Sequence, residues 1–278
     1  MSLNPRQSRE WNLGRARSER GLAFRAKSDD CSRTWGWSRS VVLIVDMHVP
    51  ARDRNGKLRD PRRVLDEARA ALLDGLLVVG ERDEVAARKA WLAARRRDDP
   101  VVFFGELVAT PRERLICIPR EPETVLLTDS FRDSLSDAPG AAEQVITSAK
   151  RQRAAVVVAS PYEADGGQTA GDRIFALNGI DAVEVRTSAT DELAADLALE
   201  AGVGMRKPCV SGGGAIDGGK AEMGWCATVF AREVKDQAAL VDALLEGEAW
   251  PIMVDRSKPR DQEKGGSRGG GQRRRRRR

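Results

Sequence analysis

Val41-Val42-Leu43-Ile44-Val45-Asp46-Met47-His48-Val49-Pro50 is the stretch on which the reading of this chain turns. A run of five apolar, mostly β-branched residues reads as a strand buried on both faces, as in parallel sheets and barrels. Just past that run stand an acid and the only histidine of the chain, Asp46 and His48. In α/β folds the C-terminal ends of the strands carry the chemistry. These two residues therefore mark a candidate site.

Downstream, the same alternation of apolar run and polar cluster repeats. Asp60-Pro61 supplies an N-cap and a proline at the first helical position. Val64, Leu65, Ala68, Ala71 and Leu72 then share one helical face, with Gly75 as the expected stop. Leu76–Val79 predicts a second strand, 84–97 a helix, Val101–Phe104 a third strand, and 113–118 its hairpin partner. Residues 120–140 are polar and irregular. A helix over 140–152, strands at Ala155–Ala159 and Asp181–Val185, and a helix over 190–201 follow. Cys209-Val210 runs into Ser211-Gly212-Gly213-Gly214, Gln237–Leu245 is an amphipathic helix closed by Gly247, and Ile252–Val254 ends the body. Strand–helix alternation without a break predicts one parallel α/β domain of barrel type.

Charge divides the chain into three. Residues 1–40 hold nine basic and four acidic side chains, and residues 255–278 hold eleven and three, which leaves 41–254 at −8 in a chain of net +5. The expectation is an acidic body, 41–254, between two basic arms, 1–40 and 255–278, whose composition reads as disordered. Four widely spaced cysteines with no CxxC pair read as free thiols of a reducing cytoplasm. No stretch approaches the ~20 apolar residues of a membrane span, and no apolar segment follows the basic N-terminus as a secretory signal would require.

In motif order, residues 41–254 resemble the polymerase and histidinol phosphatase (PHP) superfamily. The opening motif of that family is matched by Asp46-Met47-His48-Val49-Pro50-Ala51, and its second strand by Leu73-Asp74-Gly75 through Gly80-Glu81-Arg82-Asp83. Phe104-Gly105-Glu106-Leu107, Ser160-Pro161-Tyr162, Asp181-Ala182-Val183-Glu184-Val185 and Glu222-Met223-Gly224-Trp225 stand at the later motifs. The resemblance implies a single distorted (β/α)7-type barrel holding two or three metal ions and hydrolysing phosphoesters. Yet the nine positions at which that family carries ligands read His48, Pro50, Asn55, Arg82, Leu107, Arg114, Ser160, Gly214 and Ile216. Pro, Leu, Gly and Ile side chains donate nothing to a metal. The pattern is that of a pseudo-phosphoesterase, with no cofactor expected.

What replaces the ligands suggests phosphate. Arg82 and Arg114 stand at positions where the resemblance implies histidines, and guanidinium forks match phosphate oxygens. The alternative is that they neutralise Glu81, Asp83 or Glu106. Gly212, Gly213 and Gly214 could offer backbone N–H groups to an anion. Asp46, His48, Glu81 and Asp83 are the candidates for a rebuilt carboxylate site holding a divalent cation such as Mg, Mn or Zn, with His48 otherwise a hydrogen-bonded histidine at the barrel mouth. Arg273, Arg274, Arg275, Arg276, Arg277 and Arg278 end a Gly/Arg-rich segment suited to sequence-independent contact with RNA or DNA phosphates. The expected function is a non-catalytic protein binding phosphate or nucleic acid. The alternatives are a metal-dependent phosphoesterase and a protein-interaction scaffold.

Overall fold

The computed structural model describes residues 42–53, 55–80, 85–135, 138, 140–163, 169–213 and 223–253, all within the larger of two units, Arg39–Arg278. Its strands are β1 (Leu43–Pro50), β2 (Gly75–Gly80), β3 (Val101–Ala109), β4 (Arg114–Ile118), β5 (Ala155–Val158), β6 (Ala182–Arg186), β7 (Cys209–Ser211), β8 (Cys226–Phe230) and β9 (Ala249–Met253). Helices are α1 (Pro61–Ala70), α2 (Val85–Ala94), α3 (Asp129–Asp133), α4 (Ala141–Arg151), α5 (Glu192–Gly204) and α6 (Gln237–Glu246), with a 3₁₀ turn at Gly171–Ala176.

All nine strands form one sheet in the order β7-β6-β5-β4-β3-β2-β1-β8-β9. The expectation of a parallel sheet is corrected here. β1–β2, β2–β3, β5–β6 and β6–β7 are parallel, but β3–β4, β4–β5, β1–β8 and β8–β9 are antiparallel. The link between β3 and β4 is only four residues, Thr110–Glu113, too short for the crossover that a parallel neighbour needs. A consequence matters for the site. β4 runs backwards, so its first residue, Arg114, lies at the rim where the parallel strands end.

Alternation along the strands builds three apolar layers. Val45, Met47, Leu77, Val79, Phe103 and Ile116 share an inner cluster with Leu240, Val241 and Leu244 of α6. Gln237 of α6 bonds both N–H and C=O of Phe104, fixing the helix to the sheet. Outside, α1 and Trp91 of α2 cover β1–β3, while α4, α5 and the 3₁₀ turn cover β4–β6. The irregular stretch 120–140 contains α3 and is anchored by a buried charge cluster. Glu106 accepts from Arg88 (3.4 Å), Arg132 (2.6 Å) and the Leu126 N–H (2.7 Å).

Helix ends depart from the glycine rule. α1 stops at Ala70 and turns through Leu72 in the left-handed region, with Leu73 N–H bonded to Ala68 and Leu72 N–H to Arg69; Gly75 belongs to β2. The same double bond closes α4 through Arg153 and α5 through Arg206. At α6 alone of these four does a glycine, Gly247, take the left-handed position.

The sheet curls until β7 meets β1, β8 and β9, and one buried side chain fastens the seam. Thr228 of β8 accepts from Ser211 N–H (2.8 Å) and donates to Ser211 C=O (2.9 Å). Thr228→Val keeps the shape but leaves both backbone groups buried without a partner, at about 1–3 kcal/mol each. Denaturant unfolding should therefore show a loss of roughly 2–4 kcal/mol with an unchanged m-value; a loss below 0.5 kcal/mol would mean the seam is held elsewhere.

Candidate functional site

Seam closure brings β1, β5, β6 and β7 together at one rim, and four polar side chains meet there. The β1–β2 register shifts between Asp46 and Val49, an irregularity that separates the Met47 side chain of the inner cluster from the Val49 side chain of the outer one. Asp46 and His48 lie within it. His48 Nδ1 is 2.8 Å from Glu184 Oε1 of β6, and Ser160, just after β5, donates its hydroxyl to Glu184 Oε2 at 3.1 Å. One fully buried carboxylate thus holds both the histidine and the serine. Ser160 sits at φ +40°, a left-handed backbone that a non-glycine residue adopts only under constraint from its surroundings.

Asp46 is turned toward the seam. Its Oδ1 accepts from Gly213 N–H (2.6 Å) and from His48 N–H (3.1 Å). Its Oδ2 is buried and has no hydrogen-bond partner among the described residues. Burial raises its pKa from 3.8 to about 6, against the opposing backbone N–H groups of Gly213 and His48, the His48 charge and, least, the nearby Gly224 N–H. For His48, burial alone would lower the pKa, but the charge and hydrogen bond of Glu184, aided by Asp46, outweigh it and Arg114, and the net direction is upward. The imidazole is therefore biased toward its cationic form.

The candidates named from sequence fare differently. Asp46 and His48 do share the rim. Arg114, at the start of β4, is close enough for its charge to act on His48. Gly212 and Gly213 also reach the rim, but their N–H groups are committed to the fold, Gly212 to Arg186 C=O and Gly213 to Asp46. Glu106 is held by Arg88 and Arg132 in the outer layer beneath 120–135. Glu81, Arg82, Asp83, Gly214 and Arg273–Arg278 lie outside the described residues. Sequence reading overlooked Glu184 as a site residue. Its signal was a single carboxylate inside the apolar run Ala182–Val185, a residue type that is almost never buried without a partner.

Does this rim fit a multinuclear metal centre? Among the described residues no three His, Cys, Asp or Glu side chains are grouped to hold an ion. Leu107 packs its side chain against the inner cluster, and both His48 Nδ1 and the Ser160 hydroxyl are engaged by Glu184. The described donors do not fit a two- or three-metal site.

No protein-family model matches the sequence, and no curated protein matches it. Solved structures do. The crystal structure of PsfC from Pseudomonas syringae aligns with TM-score 0.54 and 16% identity, covering 78% of this chain and 93% of that one. A putative metal-dependent phosphoesterase from Bifidobacterium adolescentis aligns at 0.49 and 12%, covering 73% and 96%. The lesion-specific endonuclease Q from Pyrococcus furiosus aligns at 0.48 and 17%, covering 76% of this chain and 57% of that one. The chain shares its fold with PsfC.

Linkage gives the rim a pH signature. Asp46 has a folded pKa above its ordinary value, so its contribution to stability is full below about pH 4 and disappears as pH rises through 6. The rise from 3.8 to about 6 corresponds to roughly 3 kcal/mol. Asp46→Asn removes the titration while keeping an oxygen for the two N–H groups. Equilibrium unfolding at pH 4 and pH 7.5 should show wild type losing more stability than the variant over that interval. Parallel losses in both proteins would place the titration elsewhere.

Proposed function

We propose that this chain is a PHP-like barrel whose mouth recognises phosphate without hydrolysing it, and that residues 255–278 add contact with nucleic acid. The observation that carries the reading is the Glu184-held His48. A carboxylate on Nδ1 biases the imidazole toward its cationic form, and Arg114 brings a guanidinium close enough for its charge to act on the same side chain. Because Glu184 balances the charge of a protonated His48, Arg114 is the group whose guanidinium would engage a dianion at this mouth. The mismatch between the described donors and a metal cluster supports binding over hydrolysis, because metal ions supply several kcal/mol of transition-state stabilisation that these side chains do not replace.

Inorganic phosphate should raise the melting temperature of the full chain, the gain growing with the logarithm of concentration above the dissociation constant. Arg114→Ala should abolish the gain while leaving a cooperative transition. A wild-type protein unmoved by 20 mM phosphate would sink the reading.

One observation favours a second reading. Asp46 Oδ2 is a buried oxygen with no hydrogen-bond partner among the described residues, beside a histidine, and it could serve a divalent cation with Glu81 and Asp83 in a rebuilt phosphoesterase site. Elemental analysis separates the two, since two or more ions per purified chain would favour hydrolysis.

The basic segment carries its own expectation. Binding of the full chain to mixed-sequence duplex DNA should weaken with salt, by roughly 0.9 in log affinity per log salt for each phosphate neutralised. Replacing Arg273 to Arg278 by Ser should flatten that slope; an unchanged slope would place the nucleic-acid contact elsewhere.

A further inference from the structure

α5 is an odd surface helix. Its inner face is built from small residues, Ala194, Ala195, Ala198, Ala201 and Gly202. Its outer face carries Glu192, Asp196 and Glu200 at i, i+4 and i+8, a single file of acids. Like charges at that spacing weaken a helix, and among the described residues only Glu192 of the three forms an ion pair, with Arg186 at 2.7 Å, whose charge also acts on Asp196. Exposed aliphatic side chains flank the file on both sides, Leu193 (69% exposed) and Leu197 on one, Leu199 and Val203 (67%) on the other. A second copy of this helix would meet its own charge. The face calls for a partner that is cationic and aliphatic at once.

Such a segment begins beside it. β9 ends at Met253, whose Sδ is 3.6 Å from Arg186 Nη1, and the same guanidinium grips Glu192 at the start of α5. Beyond it the chain carries eleven basic and three acidic residues over 255–278, ending in Arg273–Arg278. Residues 254–272 can span at most about 65 Å, and α5 is only about 20 Å long. The spacings also agree. Acids four apart on a helix recur every ~6 Å, and alternate residues of an extended strand point the same way every ~6.6 Å. Arginine stems lie on aliphatic surface while their heads reach a charge, which suits acids lined by Leu and Val.

We propose that the arginine run of this chain docks intramolecularly along the outer face of α5, alternate guanidiniums on Asp196 and Glu200, beyond the Arg186–Glu192 pair, and their stems on the flanking leucines. Individually weak pairs suffice, because tethering sets an effective concentration in the millimolar range. Nucleic acid, with its denser line of charge, displaces the arm, so α5 competes with polyanion for the same arginines. The proposal does not depend on the phosphate reading of the barrel mouth.

The test uses the full chain with Cys31→Ser and Gln272→Cys carrying a nitroxide; Cys117, Cys209 and Cys226 are buried. At low salt, methyl signals of Leu193, Leu197, Leu199 and Val203 should lose intensity several-fold more than that of Leu92 on α2. The loss should fall by at least half in Asp196→Asn with Glu200→Gln, and disappear in 0.5 M salt. Equal loss at Leu92, or none on α5, overturns the proposal. A mixture of methyl-labelled chains without nitroxide and nitroxide chains without methyl label gives the remaining arm. Quenching of α5 there means the arm sits on a second copy, and the intramolecular assignment is wrong.

Discussion

Gly212 lies so close to β1 that a methyl group on it would overlap the main chain of Met47 and His48, and one on Gly213 would lie 2.6 Å from Asp46 Oδ2. That contact between β7 and β1 is the constraint from which the site follows. It draws one end of the sheet round to the strands near its other end, lets Gly213 N–H reach Asp46, and carries β6 with it so that Glu184 meets His48. No larger residue fits at Gly212 without displacing β1, and none at Gly213 without moving the Asp46 carboxylate. The glycines that looked like an anion cradle are thus the means by which the barrel closes.

Closure also explains the charge state of the rim. Asp46 is buried because β7 covers it, and burial is the chief cause of its raised pKa. Glu184 is buried for the same reason and compensates by holding two donors, His48 and Ser160. Buried carboxylates of this kind are tolerated only when hydrogen-bonded. Elsewhere the chain uses the same device for architecture alone. Glu106 of β3, between Arg88 and Arg132, ties α2 and α3 to the sheet, and Asp99, between Arg62 and Arg69, ties the α2–β3 link to α1.

The chain shares the fold of PsfC at 16% identity, a level at which shape persists while the chemistry of a site is free to change. The described rim carries that freedom in its side chains. Where the sequence resemblance implies coordinating groups, Leu107 packs into the core and Ser160 serves a carboxylate.

The elements of this fold were legible from local chemistry. Asp60-Pro61 opens α1 as its capping pattern requires, Gly247 closes α6, and the apolar runs at 43–45, 76–79, 101–104, 155–158 and 182–185 all became strands. Asp46 and His48 were recognisable as rim residues from their place at a strand end, and Arg114 only through the position at which the resemblance implies a histidine. Strand direction was legible only at the hairpin expected over 113–118; that β8 also runs against β1 was not, because an apolar run reads the same in a parallel or an antiparallel neighbour and only pairing across the sheet decides it. Nor was the role of Glu184, which stands 136 residues from His48, since nothing local to Ala182–Val185 names its partner. Capping and periodicity are properties of neighbours in the chain, so the sequence determined the elements by itself. Which carboxylate holds the histidine, and which glycines close the barrel, were decided by long-range approach of β6 and β7 to β1, and that only the tertiary structure supplies.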